Sequence, residues 1–297
     1  MISSSLTHKD TEELVSSIQA MRRREVDYLT GDYLHHQPFS CQEDSVDVEC
    51  RSKMCQWCVQ LVDHCHFSRE TAAIAMNLLD RFMDARPQTL LDRKSYQLAA
   101  IACLYTTVKV HEQQAISPET MASLSRGAYS SRDIQDMERT VLQATRWLIH
   151  PPTASTFTHY FSALLVGCMD DNAMNTLLEL TALQTDMSIH DYDLCMWNPS
   201  YISYAAIMNS LESMVVPESV QQKVDCILSA AAHIDRQSMI IQDVQIRLYQ
   251  DLLLDSVVMP TCMSSVATVK CNSLCSGEIP RPLSPRSIQV SAGCMTH

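Results

Sequence analysis

Three cysteines, Cys50, Cys55 and Cys58, stand in the order C-x4-C-x2-C. Plant-type ferredoxins hold an iron–sulfur cluster with that spacing. A cluster also needs a loop wrapped around it and a fourth cysteine downstream, whereas these three lie among apolar residues at helical spacing. They read as buried thiols, small hydrophobes in a core. Cys55, Cys58, His64 and His66 can likewise be drawn as a tetrahedral zinc set. Both histidines fall where that helical stretch ends, a common place for solvated imidazoles, so neither a metal nor a cofactor is expected. No nucleophile with its base, phosphate loop or carboxylate pair stands out, which argues against an enzyme. Four charges remain, Arg51, Asp80, Lys109 and Glu138. On residue type alone they are surface and helix-end charges in water.

The elements that must position these residues are helices. The chain has 297 residues with only five glycines. That is about 2%, against a usual share of about 7%, and doubly wound or meander folds need glycine at their turns. An all-α chain is expected. A helical stretch opens near Asp10, with Leu14, Ile18, Met21, Val26 and Leu29 as a rough apolar stripe. From residue 50 the pattern turns regular, with Met54, Trp57, Cys58, Leu61 and Val62 on one helix face. Ser68 caps the next helix and Asp92 starts the third. The third runs Leu98-Ala99-Ala100-Ile101-Ala102-Cys103-Leu104-Tyr105, apolar or small nearly all round, as a buried helix must be. Ser117-Pro118 opens a short helix, and Ser130 with Asp133 forms a capping box for a longer one.

Beyond Pro151-Pro152 the pattern repeats. Helices are expected at roughly 153–166, 172–190, 199–214, 218–234 and 238–255, the third again small and apolar at Tyr204-Ala205-Ala206-Ile207-Met208. The expected architecture is two tandem five-helix units after an N-terminal helix. Residues 1–49 are the helix and a linker, 50–150 and 151–255 the units, and 256–297 a flexible Ser- and Pro-containing tail.

Net charge is −12, from 22 Lys+Arg and 34 Asp+Glu, which opposes nucleic-acid backbone binding. No apolar stretch is long enough to span a membrane, and the N-terminus lacks the basic residue and apolar run of a signal peptide. Thirteen scattered cysteines, an odd number, read as reduced thiols of the nucleus or cytoplasm.

Several of these helices resemble those of the cyclin family. Arg51-Ser52-Lys53-Met54-Cys55-Gln56-Trp57 is similar to the Met-Arg-x-x-Leu-x-x-Trp of the first cyclin-box helix, and Leu79-Asp80-Arg81-Phe82 to the second. Tyr96 to Cys103, leading to Val108-Lys109-Val110-His111-Glu112, resembles the third, and Asp136 to Leu142 the fifth. The resemblance implies a cyclin fold and no catalysis. It implies a partner, a cyclin-dependent kinase, activated through its mobile C-helix to control cell-cycle progression. Lys109 and Glu138 would hold backbone groups around that helix, with Val110, Leu142, Trp147 and Ile149 as apolar contacts. Both charges would stand in water in the uncomplexed chain. Arg51 and Asp80 would pair, largely buried, between the first two helices. Cys50, Lys53, Met54 and Trp57 would occupy a substrate-docking patch, degenerate because a lysine sits in it. No Arg-x-x-Leu occurs in the first forty residues, which disfavours a mitotic B-type cyclin; the general look is closer to a D-type-like or environmental-response branch, though the D-type Leu-x-Cys-x-Glu is missing. The alternatives are a cyclin-fold transcription adaptor, which the negative charge opposes, or an adaptor that binds no kinase.

Overall fold

The computed structural model describes residues 7–35, 45–87 and 92–258, with side chains as far as Asp251. The tail expected from residue 256 falls almost wholly outside the described residues. Everything described is helix, turn or loop. The helices are α1 (His8–Glu25), α2 (Val48–His64), α3 (Arg69–Ala85), α4 (Arg93–His111), α5 (Pro118–Leu124) and α6 (Ser131–Ala144). They continue with α7 (Ala154–Leu164), α8 (Asp171–Ser188), α9 (Pro199–Ser213), α10 (Glu218–Ala232) and α11 (Met239–Val258). Short 3-10 turns sit at Val26–Tyr28 and Asp193–Met196.

Local chemistry sets where these helices start. Thr7 and Asp10 form a reciprocal capping box on α1, as Ser130 and Asp133 do on α6. Asp47, Ser68, Asp92 and Ser117 each accept a bond from a first-turn N–H of α2, α3, α4 and α5. A cap of this kind is worth about 1 kcal/mol, enough to fix a boundary but not a fold.

Packing fixes the fold. In the first unit α4 is the axis, and α2, α3, α5 and α6 wrap it. Ala99, Ala100, Ile101, Ala102, Cys103 and Leu104 are all 0–1% exposed, so α4 is enclosed on every side. Its alanines let neighbouring helices close in; larger side chains there would overpack the centre at about 1–3 kcal/mol each. In the second unit α9 plays the same part among α7, α8, α10 and α11. Tyr204, Ala205, Ala206 and Met208 are fully enclosed there.

α1 is not a free-standing preface to the first unit. Ile18, fully buried, belongs to the core formed by α7, α8, α9 and α10, with Leu14, Val15 and Met21 packed beside it. Its last residue, Glu25, is 1% exposed and accepts from Ser200 N (3.0 Å) and Ser200 Oγ (2.7 Å). Asn198, the N-cap of α9, makes no side-chain capping bond, so a carboxylate from α1 does that work. Burial pushes the Glu25 carboxyl up, and the two Ser200 bonds pull it back.

Candidate partner-binding surface

Lys109 ends α4 and Glu138 sits in the middle of α6, and their side chains meet. Lys109 Nζ donates to both carboxylate oxygens of Glu138, at 2.8 and 3.0 Å, and Thr106 Oγ1 donates to the same group at 3.2 Å. Lys109 Nζ also lies 5.0 Å from the centre of the Tyr105 ring. The expectation that both charges stand in water holds for Lys109, which is exposed, and is corrected for Glu138. Glu138 is only 8% exposed, because α6 lies against α4 at that level and leaves its carboxylate between the two helices. The pair therefore also belongs to the packing of the unit.

The segment after α6 is held in an unusual backbone. Arg146 and Trp147 have φ of +55° and +59°, in the left-handed region that side chains with a Cβ rarely adopt. Side-chain and backbone bonds hold it. Arg81 donates to Leu148 O (2.8 Å) and Thr145 O (3.2 Å), its guanidinium 4.9 Å from the Tyr28 ring. Trp147 N donates to Leu142 O at 2.9 Å. The result is that Trp147 projects into solvent, 65% exposed, although tryptophan is among the most buried residues on average. Strain of this kind costs about 1–3 kcal/mol per residue and persists where the surrounding structure over-determines it. Val110, on the last turn of α4, is also exposed, whereas Leu142 is buried and Ile149 half-buried against the core. His111 hydrogen-bonds Ile149 O at 3.0 Å and its ring lies 4.8 Å from that of His150, so the end of α4 and the 146–150 segment share one face.

Arg51 and Asp80 form a two-bond ion pair between α2 and α3, Nε to Oδ1 at 2.9 Å and Nη2 to Oδ2 at 2.8 Å, each residue 1% exposed. Tyr33 OH donates a third bond to Asp80 at 2.6 Å. Arg51 Nη1 reaches across to the second unit, donating to Ile189 O at 3.0 Å. Tyr192 OH, which accepts from the backbone of Tyr33 and Leu34, completes this crossing. Sequence reasoning paired the two charges but missed their reach to α8, for which no local signal exists.

The four residues of the expected docking patch do not form an open apolar surface. Cys50, Met54 and Trp57 are 0–3% exposed and belong to the core, while Lys53 pairs with Glu49 at 2.8 Å. Cys55 and Cys58 are buried thiols, and burial pushes Cys55 up to about 12. His64 ends α2, and His66 takes a left-handed turn just beyond it. Among the described residues no group of three or more His, Cys, Asp or Glu is placed to hold a metal ion.

Residues 16–150 match the family described as cyclin, N-terminal domain. The chain is 25% identical over 191 residues to Cyclin-B1-1 of Arabidopsis thaliana, a match covering 64% of this chain and 41% of that protein. It is 26% identical over 163 residues to the G2/mitotic-specific cyclin-B of Patella vulgata, covering 54% and 38%. These matches span about two fifths of the length of the curated relatives. The fold is similar to that of a viral cyclin from herpesvirus saimiri, with a TM-score of 0.61, 13% identity, and coverage of 81% of this chain and 96% of that one. Two stacked five-helix units are thus a cyclin fold.

Proposed function

We propose that this chain, which carries a cyclin N-terminal domain at residues 16–150, is a cyclin that binds and activates a cyclin-dependent protein kinase. It acts as the kinase's regulatory subunit, not as an enzyme, in the nucleus or cytoplasm, and serves cell-cycle progression. The observation that carries the reading is Trp147, held out in solvent by strained backbone beside Val110 and the Lys109–Glu138 pair. An exposed aromatic on a rigid turn, with a polar pair alongside, is the make-up of an interface hot spot. Docked on the kinase C-helix, this face would keep that helix inward, so that its Glu pairs with the ATP-binding Lys. Moving a kinase from 1:99 to 99:1 active takes about 5.5 kcal/mol of differential binding.

The branch proposed is D-type-like or environmental-response, on the general look of the cyclin-box residues. The relatives described above carry B-type and mitotic names and do not add support to that branch.

The test is capture of cyclin-dependent kinases by the full chain, with activity assayed on the captured material. Trp147→Ala and Val110→Asp change exposed side chains and should keep Tm, yet lose about 30-fold or more in kinase affinity. Lys109→Ala is a poorer probe, because it strands a buried Glu138. Normal capture and activation by both surface variants would sink the proposed face.

A further inference from the structure

Where the two units meet, the packing leaves a cavity of about 100 Å³. Its walls come from both units and from the 151–155 connection between them. Val59 and Met76 line it from α2 and α3; Ile189, Leu194, Trp197 and Ile202 line it from α8, the 3-10 turn and α9. It is a recess open on one side, deep enough between two packed units to hold a small molecule. It approaches the roughly 150 Å³ apolar cavity that stays dry and takes up benzene or xenon.

The polar groups in the walls decide what fits. Arg51 and Asp80 satisfy each other, with Tyr33 and Ile189 taking their remaining capacity. Asn77 donates to Tyr28 O. The Glu70 carboxylate, at the start of α3, accepts from the hydroxyls of Thr153 and Thr156 and so ties α3 to the start of α7. Arg69 pairs with Asp63 at 2.8 Å and with Asp186 at 3.6 Å. The buried side-chain atoms that lack a partner among the described residues, on Tyr96, Gln97 and Asp251, line other parts of the molecule. The walls are thus mostly apolar, and among the described residues their fully buried side-chain polar atoms are all paired. Deep in the recess, against Met76, Leu194 and Ile202, a charged guest would lose hydration without a partner there to replace it. Arg69 and Ser155 belong to the lining and are exposed, which gives a path from solvent.

We propose that this seam cavity is a binding site for a compact, uncharged, apolar molecule the size of a single ring, one that contacts both cyclin units at once. The site stands independently of the kinase reading, since none of Lys109, Val110, Glu138 or Trp147 lines it. Pockets at the junction of two folded units are a common place for small ligands.

The probe is benzene, with benzoate as a charged control of the same ring, added to the full chain during thermal melting. Benzene at a few times its dissociation constant should raise Tm by about 2–4 °C, rising with concentration, while benzoate should not. Ala73→Phe and Ala154→Leu each add volume to the lining. Either variant that keeps the wild-type helical circular dichroism should lose the benzene response. An absent benzene shift in the wild type overturns the proposal. So does an equal shift with benzoate, or a full shift in a folded, cavity-filled variant.

Discussion

The first unit buries charges as well as neutral groups such as Gln97 and Thr107. Arg51 and Asp80 sit together in its interior, and Arg81, 8% exposed, grips the end of α6. In the second unit the buried polar residues are neutral amides and hydroxyls, joined by Glu25 from α1. Gln184 of α8 donates to Ser210 Oγ (2.8 Å) and Ala206 O (3.2 Å) and accepts from Asn209 at 3.1 Å. Asn209 in turn exchanges bonds with Gln245 of α11, and Thr158 meets Ser203 at 2.8 Å. The two units share an architecture built on one enclosed central helix, yet hold it with different chemistry. A buried ion pair costs much desolvation and returns it only when both members are present. A neutral network has less at stake per bond, about 0.5–1.5 kcal/mol net. The charged solution lies in the unit that also sustains the strained turn at Arg146 and Trp147, where a rigid frame is needed. The neutral one lies where α9 only has to stay packed.

Single deletions should therefore hurt the two units unequally. Arg51→Ala should cost about 3–5 kcal/mol in denaturant melts, because it leaves Asp80 charged and buried. Arg51→Met with Asp80→Leu should cost far less than the single change. A single mutant within about 0.5 kcal/mol of wild type would erase the contrast, since that is the range of ordinary surface substitutions. Gln184→Leu in the neutral network should cost about 1–3 kcal/mol, the penalty for stranding Ser210 and Asn209. If it matches Arg51→Ala, the charge of the first unit is not what sets its sensitivity.

The smallest effect tests a charged group in the second unit. Burial beside Asp191 pushes the Asp251 carboxyl up to about 6, despite Arg247 nearby. Between the unfolded value near 3.8 and the folded one, the folded chain holds the extra proton, so stability falls as pH rises through that window. Asp251→Asn should stabilise at pH 7 by about 1 kcal/mol, a figure reduced because the carboxyl is only half-buried and water screens it. The gain should shrink as pH falls through 6 and vanish below 4. A gain that is unchanged at pH 3.5 would show that charge is not its origin.

Most helix boundaries were legible because their causes are local. Ser68, Asp92, Ser117 and the Ser130–Asp133 box all act within four residues, and the enclosed runs around Ala102 and Ala206 announced the two axes. The Arg51–Asp80 geometry follows from two adjacent helices and was legible through the family pattern. What stayed hidden depends on distant partners. Nothing near Glu138 signals that α4 would cover it, and nothing near Trp147 signals that Arg81, 66 residues earlier in the numbering (147 − 81), holds its turn. Glu25 as the cap of α9 is the extreme case, a bond across 175 positions.

The placement of α1 also bears on how the chain is made. Ribosomes release residues in order at about 5–20 per second. α1 ends at Glu25, and the core that buries Ile18 is complete only at Ile241, 241 − 25 = 216 residues later. For about 10–40 seconds the nascent α1 carries Leu14, Ile18 and Met21 with no surface to cover them, and the first unit gains all its helices before that window closes. An apolar stripe exposed for that long is what general chaperones bind. Slowed translation across α7 to α10 should lengthen that window and lower the yield of soluble protein.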